Sequence, residues 1–180
     1  MFEKEYSFKG SHAQKVIELT AKFNESSSVI KTNVDAFIIG AIVGYLYQKK
    51  SIPNNDKTKE GKSITTKIFP DAFYSHQTDL YFAYRLIMLA DKGTEPDFQQ
   101  RLNKAFKYFY EGQNQNDIEQ FEQFVLGGID ILYDKLITNA KSEEDFTLNL
   151  YNFVEEIQTR YYQNQDDKDF EEQILKLARN

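Results

Sequence analysis

Asp35-Ala36-Phe37-Ile38-Ile39-Gly40-Ala41-Ile42-Val43-Gly44-Tyr45-Leu46-Tyr47 carries more apolar residues with less polar interruption than any other stretch, and its reading decides the fold. A segment that is apolar on every face belongs inside a core, so residues 35–47 are expected to form a buried central helix. The run is too short to span a bilayer, which takes about 20 apolar residues, and no membrane partner is expected. Gly40 and Gly44 lie four apart on one helix face. A glycine within a helix costs roughly 1 kcal/mol relative to alanine, and close approach of a second helix would offset that loss. The run Leu80-Tyr81-Phe82-Ala83-Tyr84-Arg85-Leu86-Ile87-Met88-Leu89-Ala90 is nearly as apolar and is the expected partner of the Gly40/Gly44 face.

Working outward, Thr32-Asn33-Val34-Asp35 has the form of a capping box that launches the central helix, and Lys49 and Lys50 suit its negative end. Ser11-His12-Ala13-Gln14 has the same form, opening a first helix to about Asn24 with Val16, Leu19, Thr20 and Phe23 as its buried stripe. Pro70 and Asp71 suit the first turn of a helix running to Lys92, with Gly93 as its cap. Thr94-Glu95-Pro96-Asp97 starts the next helix, whose stripe is Phe98, Leu102, Ala105, Phe106 and Phe109 and whose end is Gly112. Asp117 to about Ala140 forms another, interrupted by Gly127-Gly128, where close packing is the expected reason. Ser142-Glu143-Glu144-Asp145 caps a helix to about Gln163 with Phe146, Leu150, Phe153, Val154 and Ile157 inward, and a short last helix carries Phe170, Ile174, Leu175 and Leu177. The expectation is an all-α, single-domain bundle over residues 1–180, with about seven helices around residues 35–47 and one long irregular loop. No strand is expected beyond a short extended piece from Ile64 to Ile68.

That loop, from Ser51 to about Lys67, is rich in Pro, Asn, Gly and Ser and poor in apolar residues. Connections longer than about 12–15 residues are usually functional or mobile. Between Lys49 and Lys67, Lys49, Lys50, Lys57, Lys59, Lys62 and Lys67 stand against Asp56 and Glu60, a local excess of positive charge in a chain of net charge -6. The functional reading is a lysine finger for a phosphate backbone or an acidic partner; the plain one is a solvated loop. From Lys141 to Asn180, ten acids face five bases, so the acidity of the chain is concentrated at that end.

The composition excludes several chemistries. There is no cysteine, hence no disulfide, thiolate zinc site or cysteine nucleophile, and cytoplasmic residence is the expectation. Met1 to Tyr6 mixes charges of both signs and lacks the apolar core of a signal peptide. His12 and His76 are the two histidines, neither within a metal-binding spacing or beside a nucleophile-elbow pattern. No metal or cofactor is expected. Neither glycine pair sits in a phosphate-loop setting. Arg85 stands alone in its apolar run and requires a counter-charge or water; Asp35 and Asp79 are the expected partners, Asp91 a weaker one. Tyr45, Tyr47 and Phe69 near the lysines could stack on bases, but a pI near 5.1 argues against an autonomous nucleic-acid binder.

Phe8-Lys9-Gly10-Ser11-His12, Ile39 to Tyr47 and Arg85-Leu86-Ile87-Met88-Leu89-Ala90-Asp91 resemble small helical accessory proteins of bacterial DNA-modification or phage-defence loci. The resemblance covers the first two thirds of the chain and carries over no functional residue. Two functional expectations follow. One is a non-enzymatic protein-interaction module, an accessory or regulatory subunit binding a protein partner or itself, with nucleic acid met through a complex. The other is a small enzyme or ligand-binding protein with a pocket near His76, Arg85 and Gly127-Gly128.

Overall fold

The computed structural model describes residue 2 and residues 4–24, 28–57, 63–112 and 115–162. The fold is mostly helical, with one two-stranded sheet. Helix α2 (Asn33–Leu46) starts with the capping box read from sequence: the Thr32 hydroxyl accepts from the Asp35 amide at 3.2 Å, and the Asp35 carboxylate accepts from the Thr32 amide at 3.1 Å. It meets α7 (Gln115–Leu136) more extensively than any other two elements meet. Its burial is not all-round, because Ile39 is exposed and Ile42 partly so.

The partner of the Gly40/Gly44 face is therefore α7 and not the helix containing Leu80 to Ala90, which corrects the sequence expectation. Glycine faces glycine. A Cβ on Gly44 would fall on the Phe124 carbonyl, one on Gly128 on the Gly40 carbonyl, and one on Gly127 on the Lys49 carbonyl. Four glycines thus let two backbones touch where any side chain would hold them apart. Around this seam Phe37, Phe121, Phe124, Val125 and Ile129 are fully buried, each contributing roughly 1.5–3 kcal/mol by leaving water.

Strand β1 (Tyr6–Lys9) was not expected, whereas β2 (Thr65–Ile68) falls within the extended piece expected from Ile64 to Ile68. The two pair antiparallel, Tyr6 opposite Ile68 and Lys9 opposite Thr65, and this register drives Phe8 and Ile68 into the core. The chain turns from β1 straight into α1 (Gly10–Thr20) at Gly10, whose φ of 57° lies in the left-handed region. Helix α1 is consequently capped in trans. The Asn54 carboxamide oxygen accepts from the Ser11 amide at 3.0 Å and its nitrogen donates to the Ser11 hydroxyl, so the box expected between Ser11 and Gln14 is not made. Gln14 donates to Glu18 instead.

The expected long helix from Pro70 breaks into α3 (Pro70–Ser75) and α4 (Gln77–Ala90) at His76, whose Nδ1 lies 2.9 Å from the Ala72 carbonyl. Asp91, not Gly93, ends α4, accepting from the Thr94 amide and from Gln120. The next helix is likewise divided. Helix α5 (Phe98–Leu102) passes through a π-helical turn (Asn103–Lys107) into α6 (Tyr108–Glu111), which Gly112 closes at φ 70°. The wider turn rotates the stripe, so that Arg101, Ala105 and Phe109 are buried while Phe98 and Phe106 are exposed. Arg101 donates to the carbonyls of Leu89, Glu95 and Pro96, satisfying the end of α4 and the turn after it.

Helix α8 (Glu143–Tyr162) has the expected box, Ser142 and Asp145 exchanging side chain and backbone bonds. Only Phe153 of its stripe is buried; Leu150 and Val154, expected inward, are exposed. The helix is held instead by Glu156, which accepts from Tyr47, Lys135 and Arg160 at 2.8, 2.7 and 3.0 Å. The last helix expected around Phe170 to Leu177 lies outside the described residues. No helix among the described residues is long and apolar enough to cross a membrane.

Candidate interaction surface

Among the described lysines of the loop, Lys50 and Lys67 have side chains engaged by the fold. The Lys49 amide donates to the Gly44 carbonyl, and the Lys50 ammonium lies 4.5 Å from the centre of the Phe124 ring and 3.3 Å from the Thr94 hydroxyl. The Lys57 backbone forms an isolated antiparallel bridge with that of Ser63, and the Lys67 ammonium pairs with Glu5 at 2.8 Å. Lys59 and Lys62 lie outside the described residues. The first half of the loop is tied down: the Ser51 amide donates to the Gln123 carbonyl at 3.0 Å, and Asn54 caps α1.

The polar site expected from His76, Arg85, Asp35 and Asp79 separates into parts. His76 Nε2 stands 3.8 Å from the Asp35 carboxylate, while Asp79 lies exposed on the first turn of α4. Arg85 is elsewhere, and its expected carboxylate pairing is not made. Its guanidinium donates to the Tyr110 hydroxyl at 2.6 Å and lies between 5.4 and 5.9 Å from the ring centres of Phe106, Phe109, Tyr81 and Tyr110. The rings enclose Nε without offering it an acceptor. The Gly127-Gly128 break offers no opening near these groups, because α2 and the chain after it fill it with backbone.

What Arg85 does have is company on the surface. Phe82 and Leu86 flank it on α4, exposed, and Phe106 and Tyr110 stand exposed on the π-turn and α6. The stripe read from sequence places Phe106 inward; in the structure it stands exposed, and Phe106 and Tyr110 reach the arginine. A cluster of exposed aromatic side chains around a guanidinium is unusual for a face meant to stay wet. Tyr74 and Tyr81 extend it along a groove of about 390 Å³ that Phe73 and Leu80 also line.

A second cluster escaped the sequence reading. On α7, Asp130 accepts from Lys15 and Ser51, each at 2.7 Å, with the buried His12 imidazole 3.4 Å away. Burial works to raise its pKa, and the bonds from its donors outweigh that and hold it well below the ordinary carboxylate range. At 3.4 Å the imidazole contact is long for a hydrogen bond, so the two 2.7 Å donors carry the stabilisation. Serine, histidine and aspartate meet here without catalytic wiring, since Ser51 directs its proton to Asp130 and not to an imidazole base. The signal was present: Asp130 is the lone acid within Val125 to Tyr133. No cluster among the described residues has the three or more ligands that would hold a metal ion.

No protein-family model matches the chain, and neither the curated proteins nor the solved structures searched contain a match.

Proposed function

We propose that this chain is a non-enzymatic, single-domain helical interaction module, an accessory or regulatory subunit of a larger bacterial cytoplasmic assembly. It docks a protein partner on the outer face of α4 and α6. The observation that carries the reading is Arg85, a guanidinium set among four aromatic rings on an exposed face and paired with no carboxylate among the described residues. Tyrosine, tryptophan and arginine dominate binding energy at protein interfaces, and a cation in a partly dry aromatic surround gains most from a partner's carboxylate. Phe82 and Leu86 on either side call for apolar side chains. The partner is therefore a protein segment presenting an acid between apolar residues, as an amphipathic helix does.

The experiment is photo-crosslinking in the native cell from a photoreactive phenylalanine at position 82, with position 148 on α8 as the comparison. The expected result is one discrete heteromeric product from position 82 that Arg85→Met abolishes and that position 148 does not give. A product that is a dimer of this chain, a product indifferent to Arg85, or no discrete product would contradict the proposal.

A further inference from the structure

Beside β1 lies a cleft of about 300 Å³ whose walls come from the start of the chain, α3 and α7. Phe2, Tyr6, Phe73 and Ile118 supply its apolar lining, Lys4, Glu5 and Gln115 add polar groups at its wall, and Glu122 puts a carboxyl into it. Phe2 is wedged against Phe37, Phe73 and Phe121 at 5.5–5.9 Å, with its backbone at φ 52°, a conformation a bulky residue adopts only where its surroundings impose it. Glu122 makes no hydrogen bond or ion pair with a described residue, although it is largely withdrawn from water. Burial, then the charge of Glu119 on the same helix, pushes its pKa up to about 7. The Tyr6 phenol is pushed up in turn, by burial and then by Glu122. The other charged groups on this wall are Lys4 and Glu5; Glu5 is engaged by Lys67, and Glu119 accepts from Gln115 at 3.0 Å.

We infer that this cleft is a binding site for an organic cation with an apolar body, a protonated amine or a guanidinium. The argument is one of complementarity. A carboxylate drawn out of water without a hydrogen-bond donor among the described residues is unfavourable, and aromatic faces attract cations. A cation seated between Phe2, Tyr6 and Phe73 with its charge on Glu122 would answer both groups at once. This inference does not depend on Arg85 and the rings around it, because the carboxyl that defines the cleft, Glu122, lies on α7 and Arg85, Phe82, Leu86, Phe106 and Tyr110 do not line the cleft. The cation could come from a free amine or from a lysine or arginine side chain of another protein, since the chemistry of recognition is the same.

The test is an NMR titration of the labelled protein at about pH 8, where Glu122 is ionised, with n-butylammonium and n-butylguanidinium as probes and 1-butanol as the neutral isostere. N-acetyl-lysine-methylamide serves as a fourth probe. The expected result is saturable shifts at Tyr6, Phe73, Ile118 and Glu122 with the cations and none with butanol. Glu122→Gln should abolish them, and in the wild type binding should weaken at least about tenfold at pH 5.5, because the carboxyl is then protonated. Binding of the blocked lysine assigns the site to a partner's side chain, and its exclusion with butylammonium accepted assigns it to a free amine. Equal shifts with butanol, binding retained by Glu122→Gln or unchanged at pH 5.5, or no saturable shift with any cation would overturn the inference.

Discussion

Asp130 and Glu122 are carboxylates of one helix driven in opposite directions by what surrounds them. Donors from Lys15 and Ser51 hold Asp130 ionised, while burial beside Glu119 favours the proton on Glu122. The pH consequences have opposite sign. Asp130 binds its proton less tightly in the folded chain, so it stabilises the fold above the ordinary aspartate pKa of about 3.9, and that contribution is lost as pH falls below it. Glu122 binds its proton more tightly when folded, so its ionisation weakens the fold as pH rises from the ordinary carboxylate range to about 7. Asp130→Asn should lower stability at neutral pH by about 1–3 kcal/mol in urea unfolding, with the difference from wild type shrinking below about pH 4. A difference of the same size at both pH values would show that the carboxylate charge is not what matters. The rule that found Arg85 in the sequence, a lone charge in an apolar run, applies equally to Asp130. What the rule cannot give is the partner, because Lys15 and Ser51 reach Asp130 only after α1 and the chain beyond α2 have folded onto α7.

Among the elements, the seam between α2 and α7 sets the strictest requirement. Alanine favours a helix over glycine by roughly 1 kcal/mol, yet at Gly44 and Gly128 the added methyl would meet a carbonyl of the opposing backbone. Gly44→Ala and Gly128→Ala should therefore each lose about 1–3 kcal/mol in denaturant unfolding. Gly93→Ala, where the methyl meets nothing closer than a carboxylate oxygen at 3.5 Å, should be neutral or slightly stabilising. Equal effects at all three positions would remove the steric argument. The glycine spacing was legible in the sequence, but the pairing was not: apolarity alone favoured α4, and only backbone contact selects the helix with glycines of its own. The caps at Thr32 and Ser142 were legible because each is a local bond. The trans cap by Asn54 was not, since it answers to a neighbour distant in sequence, and the break at His76 and the π-turn were not, since no proline or glycine marks either.

For the molecule as a whole, the helical character followed from periodicity and β2 from the extended piece between Ile64 and Ile68, whereas β1 did not, because four residues of alternation are too few to mark a strand. The exposed aromatic face was harder to read than the helices. Charge counting drew attention to the lysines, several of which the fold engages, whereas the exposed aromatic face around Arg85 arises only when α5 and α6 are set against α4. The central claim is that Arg85 serves a partner and not the fold. Its aromatic contacts stabilise modestly, and its enclosed Nε lacks an acceptor, which opposes them. Thermal and urea unfolding of Arg85→Met, which keeps an apolar stem and removes the charge, is the most direct measurement. The account predicts stability within about 1 kcal/mol of wild type, since the two contributions nearly cancel. A loss of about 3 kcal/mol or more, the scale of a broken buried charge network, would contradict it and make Arg85 a structural residue.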